Sequence, residues 1–391
     1  MDTSTATWLT SPDAAAALAM ADAEADPSSL GAATRLRAQC PPDRAAAVLD
    51  QAVLRRRAAA KLGEGAARLF LTRDGLEQAT RPAVAARRAA RFVALGASEV
   101  ADLTAGLGLD ALALARAGLR VTAVELDAVT AVLAAANLGA GVRVLTGDAT
   151  VLAPTLLAGG AAAFCDPARR TAAGRSWRLD DLTPPWPFVL GLLDGTRVAC
   201  VKLGPGLPHS VIPDAVEAEW VSAGGDVVEA ALWAGPGTTP GRRRAVVDAH
   251  ELARDEALAP PPVGAVGEYL YEPDGAVIRA GLVPAVAEAV GGWRLHDNVA
   301  YLAASTLVGT PFAQAFRVEE VLPYDERALR GWVRSRRVGV LEIKKRGVDA
   351  DPATLRKRLR PQGPNSATLV LTPTASGAVA LVVSRAPRTA G

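Results

Sequence analysis

The chain has 391 residues, of which 50% are hydrophobic, 21% charged and only 4% aromatic. That length and composition specify a folded protein with room for two or three domains and exclude a disordered chain, and no apolar run approaches the roughly 20 residues a membrane helix needs. Net charge is +2 but unevenly spread: residues 331–391 carry twelve Lys and Arg against three Asp and Glu, the rest 31 against 38. A basic end on an otherwise acidic chain points to a polyanionic partner.

Residues 1–95 read as mostly helical. Alanine-rich periodic segments fall at 12–23, 43–62 and 80–94, with Pro27 and Pro41-Pro42 as breaks. The first residues lack the basic-then-apolar layout of a signal peptide. Arg55, Arg56, Arg57, Arg81, Arg87, Arg88 and Arg91 are expected on helix surfaces.

Residues 97–250 alternate between short apolar runs and helical patterns. Strands are expected at 99–103, 120–124, 142–145, 161–165 and 197–202, and helices at 109–117 and 127–138. Segments 217–223 and 226–232 continue the pattern, and 237–262, rich in Gly, Pro and Arg, reads as a transition. Strands alternating with helices imply a doubly wound α/β sheet. Asp102, Glu125, Asp148 and Asp166 end four successive apolar runs, at separations of 23, 23 and 18 positions. In such a sheet the strand carboxyl ends form the ligand crevice.

Gly106 and Gly108 follow the first strand and let the backbone turn tightly and approach a ligand. Gly-x-Gly with an acid seventeen residues on also fits a dinucleotide fingerprint. Two acids disfavour NAD. Asp102, just before the glycine turn, repels a pyrophosphate but accepts hydrogen bonds from a cationic amine, and Asp148 can meet an adenine amino group. An amine, a ribose and an adenine without phosphates describe S-adenosylmethionine.

On these residues the chain resembles the class I S-adenosylmethionine-dependent methyltransferases, with their Rossmann-like fold. Asp102-Leu-Thr-Ala-Gly-Leu-Gly-Leu-Asp110 is similar to their first motif. The resemblance implies that Thr104, Ala105, Gly106 and Gly108 line the methionine part, with Asp102 near its amine and Asp110 closing the motif. It implies that Glu125, followed by Leu126, holds the ribose hydroxyls and that Asp148-Ala149 contacts the adenine.

Asp166-Pro167-Ala168-Arg169 resembles the fourth motif, where amino-methyltransferases carry Asp or Asn, two prolines and an aromatic. Asp166, Pro167 and Arg169 are therefore the expected catalytic residues. Ala168 replaces the second proline and Arg169 the aromatic, so the acceptor atom stays open here. Arg169 and Arg170 are candidates to pair with phosphate or stack on a base. Some RNA uracil-C5 methyltransferases have Asp-Pro-Pro-Arg here and a nucleophilic cysteine after strand five. Cys200 lies inside that strand, and it and Cys165 read as core thiols. Lys202 closes the strand as a contact for phosphate or target, or as a side chain snorkelling from the sheet edge. The three cysteines and three histidines have no metal-ligand spacing, and no metal is expected.

A second unit begins near 263. Its end reads as a small α+β module with βαββ order: strand 338–345, helix 352–359, strands 367–372 and 379–384. With Gly267-Glu-Tyr-Leu-Tyr, Trp293 to Leu302 and Leu76-Glu-Gln-Ala-Thr-Arg-Pro, it resembles a bacterial group of these methyltransferases with a C-terminal THUMP-like domain. The resemblance implies a nucleobase of RNA, tRNA or rRNA, as the substrate; the alternatives are a methyltransferase of a small molecule or protein, or a non-catalytic RNA-binding protein that retains the fold. Lys344, Lys345, Arg346, Arg356 and Arg358 are the expected phosphate contacts. Few aromatics sit among them, which favours structured RNA over a single strand. The expected organisation is a helical region at 1–95, a cofactor-binding domain at 96–250 and a C-terminal region at 260–391 with its THUMP-like core near 331–391. The expected location is the cytoplasm.

Overall fold

The computed structural model describes residues 1–169, 179–256 and 258–387. The chain divides into two units. The first comprises Met1–Glu217 and Ala230–Pro240, the second Ala218–Glu229 and Gly241–Gly391.

In the first unit, helices Thr3–Leu9, Ala15–Ala23, Leu30–Arg37 and Pro42–Leu62 share a core that includes Leu9, Leu36, Val48, Leu54 and Leu62. Gly63 ends the long helix at φ +70°, a conformation glycine adopts without Cβ strain. Helix Pro82–Ala94 starts with proline in its first turn and buries Val84, Ala85, Arg88, Ala89 and Phe92. Arg55 and Arg88 thus correct the surface expectation. Both are buried, and their charges are met inside. Arg55 pairs with Asp22 at 2.9 Å, and the Arg88 guanidinium lies 4.9 Å from the centre of the Phe164 ring.

The sheet of this unit contains β1 (Glu99–Asp102), β2 (Arg120–Glu125), β3 (Arg143–Thr146), β4 (Ala162–Cys165) and β5 (Ala199–Leu203). β1 pairs in parallel with both β2 and β4, β2 with β3, and β4 with β5. The chain therefore runs outward from β1 through β2 to β3, then returns to the other side of β1. The reversal lies between β1 and β4, and in such sheets a crevice opens there at the strand carboxyl ends. Residues 230–234 pair antiparallel with β5. Their Trp233 stacks at 5.0 Å, tilted, on Phe92. Cys165 and Cys200 are buried in their strands, and burial pushes the Cys165 thiol up.

In the second unit, Arg243–Val247 pairs in parallel with residues 218–222 and antiparallel with His250–Arg254. This hairpin corrects the expected transition at 237–262. Ala245, Val246 and Val247 are buried, while Arg244 reaches Glu219 on one neighbouring strand and Glu251 on the other. The expected βαββ order is present, but its strands belong to a larger sheet. Seven strands run in the order Trp293–Arg294, Leu302–Ala304, Tyr269–Pro273, Ala313–Pro323, Gly377–Arg385, Asn365–Thr374 and Val338–Lys345. Helices Glu326–Ser335 and Pro352–Leu359 cover one face with Leu329, Val333, Leu355 and Leu359.

Gly339 sits at an irregularity in the pairing of Val338–Lys345 with Asn365–Thr374. A Cβ there would collide with the carbonyl of Gly363. The obstacle is backbone and cannot rotate away, so Gly339→Ala is expected to cost about 3 kcal/mol, the upper end of overpacking. Its urea midpoint should fall accordingly; an unchanged midpoint would show that the bulge adapts.

Candidate active site

A cavity of about 770 Å³ opens at the carboxyl ends of β1 to β4. Asp102, Thr104, Ala105, Gly106, Asp110, Glu125, Leu126, Asp148, Ala149 and Asp166 all line it. The structure therefore brings together most of the residues expected around the cofactor. Gly108 lies just behind them at φ +81°, where an added Cβ would press on Leu138.

Asp102 is fully buried at the end of β1. Its Oδ1 accepts a hydrogen bond from the Thr104 amide at 3.2 Å, whereas Oδ2 is buried with no hydrogen-bond partner among the described residues. Burial, then the charges of Asp110 and Asp166, push its carboxyl up to about 8 against the pull of the Thr104 amide and Arg88. An orphaned carboxylate oxygen facing a cavity is a demand for a cationic donor.

Glu125 ties two turns together. Its Oε2 accepts from the Gly106 amide and its Oε1 from the Asp127 amide, each at 2.8 Å. Each oxygen keeps a further lone pair. Asp148 caps helix Ala149–Leu157, accepting from the Thr150 amide at 2.8 Å and its hydroxyl at 2.7 Å. These bonds, the hydroxyl first, hold its carboxyl below the usual range. Leu126 is 61% exposed at the rim.

Thr104 also reaches Asp166, its hydroxyl accepting from the Asp166 amide at 2.6 Å. One Asp166 oxygen, Oδ2, receives Lys202 Nζ. Lys202 is therefore engaged with Asp166, with its side chain 12% exposed. Pro167 is buried beside it. The Arg169 side chain and Arg170 lie outside the described residues.

Sequence reasoning missed the roof. Thr72, Asp74, Gly75, Gln78, Ala79 and Thr80 line the same cavity from the N-terminal region. Asn137 stitches this region to the glycine loop, accepting from the Phe70 amide at 2.7 Å and donating to the carbonyls of Phe70 and Leu107 at 3.0 Å. The signal in the sequence is the family-like Leu76-to-Pro82 stretch, which contains Gln78, Ala79 and Thr80.

Residues 313–385 match the family described as THUMP domain-like, and residues 2–58 a domain of unknown function. Two relatives from Mycobacterium tuberculosis strains, both named as uncharacterized S-adenosylmethionine-dependent methyltransferases, are 35% identical over 353 residues, covering 88% of this chain and 96% of each relative. The chain belongs to the S-adenosylmethionine-dependent methyltransferases. A crystal structure of a candidate methyltransferase from Porphyromonas gingivalis W83 is 26% identical, with a TM-score of 0.74 over 89% of this chain and 92% of that one.

S-adenosylmethionine is thus the methyltransferase's cofactor, and the cavity's residues fit it. The buried Asp102 oxygen suits an ammonium, and the Glu125 carboxylate suits a diol. Asp110, the end of the first motif, lines the cavity. Its carboxylate is engaged by the Thr80 hydroxyl at 2.7 Å, and Arg88 stands 3.5 Å away.

The expected phosphate contacts lie in the second unit, and most already have protein partners. Lys344 pairs with Glu272 at 2.6 Å, with Arg346 at 3.8 Å from the same carboxylate. Arg356 donates to the Leu341 carbonyl at 2.7 Å, and Arg358 stands 3.6 Å from Glu326. Lys345 is exposed. Among the described residues no helix is long and apolar enough to cross a membrane, and no group of side chains is set to hold a metal.

Proposed function

We propose that this methyltransferase modifies a nucleobase of structured RNA, tRNA or rRNA, in the cytoplasm. The observation that carries the reading is the charge of the THUMP-like segment. Lys345, Arg356, Lys357, Arg358 and Arg360 are all exposed on one strand end and the helix that follows. Backbone phosphates reward such a surface with affinity and salt dependence, without sequence choice.

In this reading Asp102 takes the cofactor's ammonium, Thr104, Ala105, Gly106 and Gly108 shape the methionine end, Glu125 binds the ribose and Asp148 with Ala149 the adenine. Bound S-adenosylmethionine supplies an electrophilic methyl group on a sulfonium. Asp166 and the Pro167 carbonyl orient the acceptor base in line with that methyl, and Asp166 accepts a hydrogen bond, or the proton, from it. Arg169 and Arg170, three and four positions further along the sequence, meet the base or its phosphate.

The test is the salt dependence of binding to a total tRNA and rRNA pool. Wild type should lose affinity linearly in log salt. Lys345→Gln with Lys357→Gln should weaken binding to all RNAs alike and reduce the slope by about 2, one per phosphate contact. Retained affinity with an unchanged slope would show that this surface does not meet RNA.

A further inference from the structure

A chain of polar contacts joins the N-terminal region to Asp166. The Thr80 hydroxyl lies 2.7 Å from Asp110 Oδ2 and 3.1 Å from Lys202 Nζ, and Lys202 Nζ also reaches Asp166 Oδ2. The donors are fixed by chemistry. An ionised carboxylate only accepts and an ammonium only donates, while a hydroxyl has one proton and two lone pairs. Thr80 must therefore donate to Asp110 and accept from Lys202, and Lys202 donates to both Thr80 and Asp166. Arg88, 3.5 Å from Asp110, anchors the far end.

The chain is sheltered. Thr80 is 7% and Arg88 3% exposed, and the Lys202 and Asp110 side chains are each 12% exposed. Asp166, at 33%, is the most open member and lines the cofactor cavity. A lysine has four flexible side-chain bonds, and the hydrogen bond to Thr80 restrains its ammonium beside Asp166. With Lys202 on Oδ2, the other Asp166 oxygen is left for an acceptor.

We propose that Thr80 is a positioning residue for methyl transfer: through Lys202 it holds Asp166 in the orientation that receives the acceptor. Lys202 is then part of the catalytic centre's support and not a phosphate contact, and the N-terminal helical region completes the active site. The inference rests on the reading of Asp166 as the group that orients the acceptor.

The test uses the full chain, with Thr80→Val removing the hydroxyl at nearly constant shape and Thr80→Ser retaining it. Calorimetry with S-adenosylhomocysteine reports the cofactor site. Transfer of labelled methyl to total RNA from a strain lacking the gene reports turnover. The Lys202 ammonium resonance in protein labelled at lysine ¹⁵Nζ, assigned with Lys202→Arg, reports the contact itself. Thr80→Val should keep S-adenosylhomocysteine affinity within about twofold, lower kcat by ten- to a hundredfold, as misplacement of a reacting group does, and speed exchange of the Lys202 ammonium at least tenfold. Thr80→Ser should restore both. Asp110→Asn, which weakens the anchor beyond Thr80, should speed the same exchange if Thr80→Val does not fold. An unchanged ammonium signal in Thr80→Val, or equal losses in cofactor affinity and kcat, would overturn the proposal. If wild type transfers no methyl to RNA, the RNA reading fails, while the resonance still decides whether Thr80 holds Lys202.

Discussion

Asp102→Ala is expected to lose S-adenosylhomocysteine binding by a hundredfold or more. The residue is fully buried and, among the described residues, its Oδ2 has no partner and no other carboxylate lining the cavity is fully buried. Removing one member of a buried ion pair costs about 3 kcal/mol or more, because the ammonium is then desolvated without compensation. The carboxyl's raised value, about 8, gives this binding a pH signature. Below pH 8 the empty site holds Asp102 protonated, and an ammonium binds the ionised form. Binding therefore releases a proton, and affinity should fall towards tenfold for each pH unit below 8. The folding contribution has the opposite slope. The unfolded carboxyl titrates near 3.8, so the native state holds the extra proton between there and 8, and stability declines as pH rises through that window. Asp102→Asn keeps the acceptor for the Thr104 amide, removes the buried charge and should raise the melting temperature at pH 8 while abolishing binding. Calorimetry in buffers of different ionisation heat measures the released proton. Binding that is flat from pH 6 to 8 would contradict the assignment.

The second large effect is on turnover. Asp166→Ala should lower kcat by about a hundred- to ten-thousandfold, the range for loss of a positioned acid-base group, with S-adenosylhomocysteine affinity little changed. The separation follows from the geometry. Asp166 lies past β4 and pairs with Lys202, whereas the groups that fit the cofactor stand on β1, β2 and the turn after β3. Equal losses in affinity and kcat would place Asp166 in cofactor binding instead.

The cofactor sheet was legible because β1 to β4 are apolar runs that stop at a polar residue. Alternation with helices fixes the parallel order, and the strand ends then fall on one edge. The THUMP-like strands were legible for the same reason. The Arg243–Val247 hairpin was not, because its arginines conceal a strand whose charges are met only across the sheet by Glu219 and Glu251. Arg88 was misplaced although its spacing betrayed it. It is four residues from both Val84 and Phe92, on the buried face, and only the fold supplies Asp110 and Phe164 to receive its charge. The cations of 344–358 look like an open surface in the sequence, because Glu272 and Glu326 are too distant along the chain to show as partners. The Thr80–Lys202–Asp166 chain spans 122 and 36 positions and exists only in three dimensions.

The most direct measurement of the central claim is transfer of labelled methyl from S-adenosylmethionine to total RNA from a strain lacking the gene, with wild type and Asp166→Ala side by side. Wild type should place label in tRNA or rRNA, and the variant should lose at least a hundredfold of it. Label confined to protein or small molecules, or equal labelling of RNA by both proteins, would contradict it.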